Sequence, residues 1–140
     1  KRLLPIFKAS FFVPLFGDGS TKFQPVFIDD VSLAVDEIIN SKIKVKNIYE
    51  LAGPRIYSYK EFFNHISNFL NKTRVFVPVP MVVMKPMINI AEKTPFSPLT
   101  SEQLKLFEKD NLIVNVDKSF QNLDINPQDT LQILKNIVVN

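Results

Sequence analysis

Between Phe23 and Leu51 the chain changes its hydrophobic period twice, and that alternation limits its architecture more than any other feature. From Phe23 to Ile28 the residues favour an extended strand, although Pro25 cannot donate to a ladder. In "VSLAVDEIIN" the residues Val31, Ala34, Val35, Ile38 and Ile39 then repeat at helical spacing. "SKIKVKN" is a polar connection, and "IYEL" (48–51) reads as a second strand. Strand, helix, strand over this length is one βαβ unit, which needs a parallel pair with a right-handed crossover. The expected class is therefore α/β.

Local signals fill in the rest. Asp30 stands where a helix N-cap is expected, its carboxylate accepting the amides of the first turn. Asp29 is less constrained; at the carboxyl end of a parallel strand it would sit where α/β sheets place ligands. Gly53-Pro54 ends the second strand in a turn. Ser58 and Glu61 form an S-x-x-E capping box that opens a helix with Phe62, Ile66, Phe69 and Leu70 toward the core. "RVFV" (74–77) is a third strand, succeeded by a helix from near Pro80 that Pro86 bends or restarts. Thr100 and Gln103 form a second capping box, for a helix ending near Asp110. In the tail Asn126 is read as a cap and Pro127 as the first helical residue, with Leu131, Leu134 and Val138 on one face. The opening "KRLLPIFKASFFVPLF" reads as a short amphipathic helix, then Pro14 and a loop. That places a boundary between an N-terminal helix and loop, 1–22, and a C-terminal domain, 23–140.

Composition narrows the chemistry. A chain of 140 residues, 46% apolar and 22% charged, can bury a real core. There is no cysteine, so disulfides, Cys-ligated zinc and thiol chemistry are excluded. The one histidine, His65, lies in a helical pattern beside Phe62, Ile66 and Phe69 and is placed on the flank of a core face. A net charge of +3 is small for a nucleic-acid binder, and Lys42, Lys44, Lys46, Lys72 and Arg74 are not interleaved with aromatics. The longest apolar run, 75–84, is half a membrane span and is broken by Pro78 and Pro80.

Two stretches look like sites. Gly17-Asp18-Gly19 suggests a phosphate cradle, but such loops join a strand to a helix, whereas here a strand pattern comes next. It is read as a turn. The Asp29-Asp30 pair has no D-x-D-x-D-G run beside it, so no metal is expected. The Met-rich "PVPMVVMKPMINIA" is read as packing, with a pliable surface for a tail, lipid or partner as the alternative.

In order, "GDGSTKFQPVFIDDVSLAV", "YELAGPRIYSYKEF", "VPVP" and "PLTSEQLKLFEKDN" resemble the C-terminal half of an atypical short-chain dehydrogenase/reductase. Within that superfamily the chain is most similar to the group holding the dehydrogenase-like accessory subunit of respiratory complex I and its bacterial relatives. The resemblance spans roughly residues 12 to 135. It implies partial Rossmann-like βαβ elements plus a mainly helical substrate-side subdomain, with the N-terminal cofactor-binding half absent. Intact members hold NAD(P)H on a glycine-rich loop, and active ones use a Tyr-x-x-x-Lys pair. This chain has three glycines, and the residues four after Tyr49, Tyr57 and Tyr59 are Gly53, Glu61 and Phe63. Catalytic residues and cofactor binding are thus expected to be absent from the chain alone. The resemblance makes Gln24, Pro25, Asp29, Gly53 and Pro54 the cleft-facing candidates. It implies as partners the missing Rossmann half and complex I subunits, with peripheral membrane association open, on the bacterial cytoplasmic or mitochondrial matrix side. The alternatives are an interaction module that stabilises a respiratory assembly without turnover, and a nucleotide-sugar epimerase or reductase fragment. Phe23, where that last branch carries an arginine, counts against the fragment.

Overall fold

The structure is a computed structural model that describes residues 10–40, 48–94, 100–114 and 119–139. In chain order it contains β1 (Phe12–Phe16), β2 (Lys22–Phe23), α1 (Ile28–Asn40), β3 (Tyr57–Ser58), α2 (Tyr59–Phe69), β4 (Val75–Val79), α3 (Met81–Ala91), α4 (Ser101–Leu104) and α5 (Thr130–Val139). Short 3₁₀ turns occupy Lys105–Phe107 and Phe120–Leu123.

The α/β class stands, but its parallel pair is not the one the sequence suggests. β1 pairs with β4, Phe12 opposite Val75 through Phe16 opposite Val79. Residues 12–16, expected in a helix and loop, are strand because Val13, Leu15 and Phe16 bury there against α2 and α3. Ser10 and Phe11 are not helical either, while residues 1–9 of the expected helix, like Lys42, Lys44 and Lys46, lie outside the described residues. The bonds from Val75 N–H to Phe11 and from Gly17 N–H to Val79 fix the phase: odd-numbered residues face the partner backbone. Pro14 and Pro78 fall at even positions, so the N–H each lacks would have pointed to the open edge. That is why two prolines are tolerated in one two-stranded ladder.

The strand read at 23–28 shrinks to Lys22–Phe23 and pairs antiparallel with β3, not in parallel. Residues 48–51 form no strand: Tyr49 and Leu51 pack instead beside Ala34, Phe120 and Leu123. The βαβ unit of 23–51 is therefore absent. Helix α1 begins at Ile28, two residues before the supposed cap. It turns Ala34 inward, while Val35 and Ile39 are exposed. Helix α5 starts at Thr130, later than Pro127, and Asp129 rather than Asn126 accepts at its start, from the Leu131 N–H at 3.0 Å.

Two clusters make the core. Val13, Leu15, Phe16, Phe63, Ile66, Met84, Ile88, Leu104 and Phe107 form the larger, and Ala34, Phe120 and Leu123 the smaller. Both capping boxes form as read, at Ser58/Glu61 and Thr100/Gln103, although the second helix is only Ser101–Leu104 before tightening into 3₁₀ geometry. Helix α3 runs through Pro86 without restarting, with Pro80 as its N-cap residue. Its Met84 and Ile88 are buried, while Val82, Met87 and Ile90 are exposed.

The Ser58 box yields the first prediction. Ser58→Ala should cost about 1 kcal/mol, read as a lower urea midpoint. Bonds from the Ser58 amide and hydroxyl hold the Glu61 carboxyl below its ordinary range. A depressed carboxyl contributes stability above its unfolded pKa and loses it as pH falls through the folded one. The gap between wild type and variant should therefore narrow below about pH 4. A gap unchanged down to about pH 2 would mean that the carboxylate is not part of the cap.

Candidate functional site

The segment after β2 has its polar groups tied in several directions. Gln24 donates through Nε2 to the Gly53 carbonyl at 2.7 Å. The Pro25 carbonyl accepts from Thr130 Oγ1 at 3.1 Å. Gly53 passes so close to Pro25 that a Cβ there would lie 1.9 Å from the Pro25 oxygen, a contact only glycine permits.

Four of the five cleft candidates meet at this crossing. Gln24, Gly53 and Pro54 line a cavity of about 700 Å³ with Ile56 and Phe120. Gln24 and Pro25 line an adjoining cavity of about 470 Å³. Asp29 does not sit at the end of a parallel strand, because α1 has already begun; it is exposed on the helix's first turn. Its neighbour takes the interior place. Asp30 is 2% exposed, accepting from the Gln128 N–H at 2.8 Å and from Gln128 Nε2 at 3.3 Å. Asp30 is thus not an N-cap but a buried tie between α1 and the C-terminal segment.

A second tie is not visible in the sequence. Asp129 accepts from the Tyr57 hydroxyl at 3.2 Å and pairs with Arg55 Nε at 3.1 Å. Burial, then the Asp129 charge, pushes the Tyr57 phenol above its ordinary range. The one clue is the polar run Asn126–Thr130 between Ile125 and Leu131, whose cap and proline signals read wholly as a helix start.

The other candidates resolve simply. Gly17 and Gly19 have φ of +62° and +77°, and Asp18 accepts from the Ser20 amide and hydroxyl, which holds its carboxyl low. The motif is a turn from β1 to β2 and presents no helix end to an anion. His65 is exposed, with its ring near Tyr57 and Phe69. Among the described residues no three His, Cys, Asp or Glu side chains gather as a metal site would need. Nor is any described helix long and apolar enough to cross a membrane.

No family model matches the chain. Over 127 residues, 83% of its length, it is 30% identical to the mitochondrial NADH dehydrogenase [ubiquinone] 1 alpha subcomplex subunit 9 of Arabidopsis thaliana. Over 109 residues it is 28% identical to the mitochondrial NADH-ubiquinone oxidoreductase 40 kDa subunit of Neurospora crassa. The chain is homologous to these complex I subunits. It spans 31% and 29% of their lengths. Its fold matches that of the Citrobacter triphenylmethane reductase solved with NADP(H), with a TM-score of 0.70 at 18% identity over 96% of this chain and 46% of that one. The Rossmann-like, reductase-type fold and the resemblance to complex I subunits both stand.

Proposed function

We propose that the chain is the non-catalytic C-terminal portion of an NAD(P)-binding, dehydrogenase-like protein associated with respiratory complex I. In the intact protein a Rossmann half holds NAD(P)H, and this portion closes over the cleft with Gln24, Pro25, Gly53 and Pro54. Asp29, exposed on α1, drops from that set. The observation that carries the reading is the homology to complex I subunits. The chain's own residues do not fit a dinucleotide. Of three glycines, two turn into a strand and the third is pressed against Pro25, so none opens a helix toward a pyrophosphate. No Tyr-x-x-x-Lys occurs, so no proton-transfer step is assigned. Placement on the mitochondrial matrix side, or on the cytoplasmic side in a bacterium, forms part of the proposal; the mitochondrial relatives support its organellar alternative.

Titration calorimetry of this chain with NADH and NADPH should show no saturable heat below about 1 mM. A micromolar isotherm would overturn the reading. A second reading, an assembly module without turnover, draws on the outward face of α3. There Val83, Pro86, Met87 and Ile90 recur at i, i+3, i+4 and i+7, all exposed. Capture of complex I subunits by this chain, lost in a Met87→Glu, Ile90→Glu variant, separates that reading from the first.

A further inference from the structure

The two adjoining cavities share Gln24, Ala52, Leu112 and Ile113, so they form one trough across the Gln24–Gly53 crossing. Together their volumes, about 700 and 470 Å³, suit a small organic ligand. The trough's charge is unexpected for a chain of net +3. Among the described residues its lining contains no Lys, Arg or His, and it does contain two carboxylates, Glu50 and Asp124. Arg55, between the lining residues Pro54 and Ile56, is engaged by Asp129. The walls are chiefly aliphatic and aromatic, and Phe120 at the base is 2% exposed.

We infer that this trough binds an uncharged, largely apolar small molecule as the substrate side of the cleft, and rejects phosphate-bearing substrates such as sugar nucleotides. A phosphate entering it would lose hydration without meeting a cation among the described lining residues, and would face two carboxylates. An apolar ring would lose only unfavourable contact with water. The crossing supplies orientation: Gln24 commits its amide nitrogen to Gly53, which leaves Oε1 to accept from a ligand hydroxyl or amide. The inference rests on reading this crossing as the cleft of the proposed function.

The test compares 1-naphthol with 1-naphthyl phosphate, which share a ring and differ in charge, by saturation-transfer NMR titration of the intact chain. Naphthol should bind at least roughly tenfold more tightly, about 1.4 kcal/mol. Ile56 lines the cavity and is 52% exposed, so Ile56→Trp should fill the space without disturbing the core, and naphthol binding should be lost. Ile56→Lys should instead raise affinity for the phosphate. Equal or tighter binding of the phosphate by the wild type, naphthol binding unaltered in Ile56→Trp, or no binding of either ring up to about 1 mM each overturns the inference. Because neither probe is a dinucleotide, the outcome is independent of the cofactor titration.

Discussion

Gly53→Ala is expected to be the most damaging alanine substitution among the three glycines, costing about 3 kcal/mol or more. The added methyl would lie 1.9 Å from the Pro25 oxygen and 3.0 Å from its carbonyl carbon, both backbone atoms that no rotamer change can move aside. Pro25 has little freedom to retreat, because its ring fixes φ and its carbonyl is held by Thr130. The Gln24–Gly53 bond must also open, and with it the wall shared by the two cavities. Gly17→Ala is the control. Its φ of +62°, unlike that of Gly53, is unsuited to a side chain, but nothing lies within 4 Å of the new methyl, so about 1–2 kcal/mol is expected. Urea midpoints for both variants decide the matter. A Gly53→Ala protein as stable as Gly17→Ala would mean that the chains do not cross as closely as described.

Asp30→Ala should cost about 2–3 kcal/mol, more than the loss of an exposed helix cap. The carboxylate is buried and accepts from both the backbone and the side-chain amide of Gln128. Removing it takes away a charged acceptor, buried on the α1 side, from the Gln128 N–H and opens the join between α1 and the tail. Asp29→Ala, at an exposed first-turn position, should change stability by no more than about 0.5 kcal/mol. Amide exchange distinguishes the mechanism: in Asp30→Ala the Gln128 amide should lose protection while those of α2 keep theirs. Equal losses for the two aspartates, or an unaltered Gln128 amide, would contradict the buried tie.

These pairs show where the sequence is legible. Ser58/Glu61 and Thr100/Gln103 can be read because a capping box is closed by residues three apart, within one turn. Strand β4 is readable from its β-branched run, and the Gly17–Gly19 turn from the strand-like residues on its C-terminal side. β1 is not: its partner is β4, far along the chain, and Pro14 hides the strand pattern until the pairing phase is known. "IYEL" has strand composition, but strand geometry needs a partner, and its side chains find a core instead. Both aspartates depart from their expected roles because α1 starts two residues early, which places Asp30 inward and leaves Asp29 outside. Gln24, Pro25, Gly53 and Pro54 are gathered by family resemblance, since no local pattern announces that residues nearly thirty apart will cross. Asp129 and Gln128 stay invisible for the same reason, their partners being 72 and 98 positions away.

The β1–β4 ladder has a consequence for how the chain is made. Phe12 must wait for Val75, roughly sixty residues, before it has a backbone partner. At translation rates of about 5–20 residues per second that interval is on the order of 3 to 12 s. Val13, Leu15 and Phe16 emerge from the ribosome well ahead of Met84, Ile88, Leu104 and Phe107, the later residues that cover them. The nascent chain therefore offers a sticky segment to chaperones and to neighbouring polypeptides for seconds, however stable the finished fold. Pro14, in the middle of that segment, denies a passing strand one of the N–H groups it would need to pair, and so guards the delay.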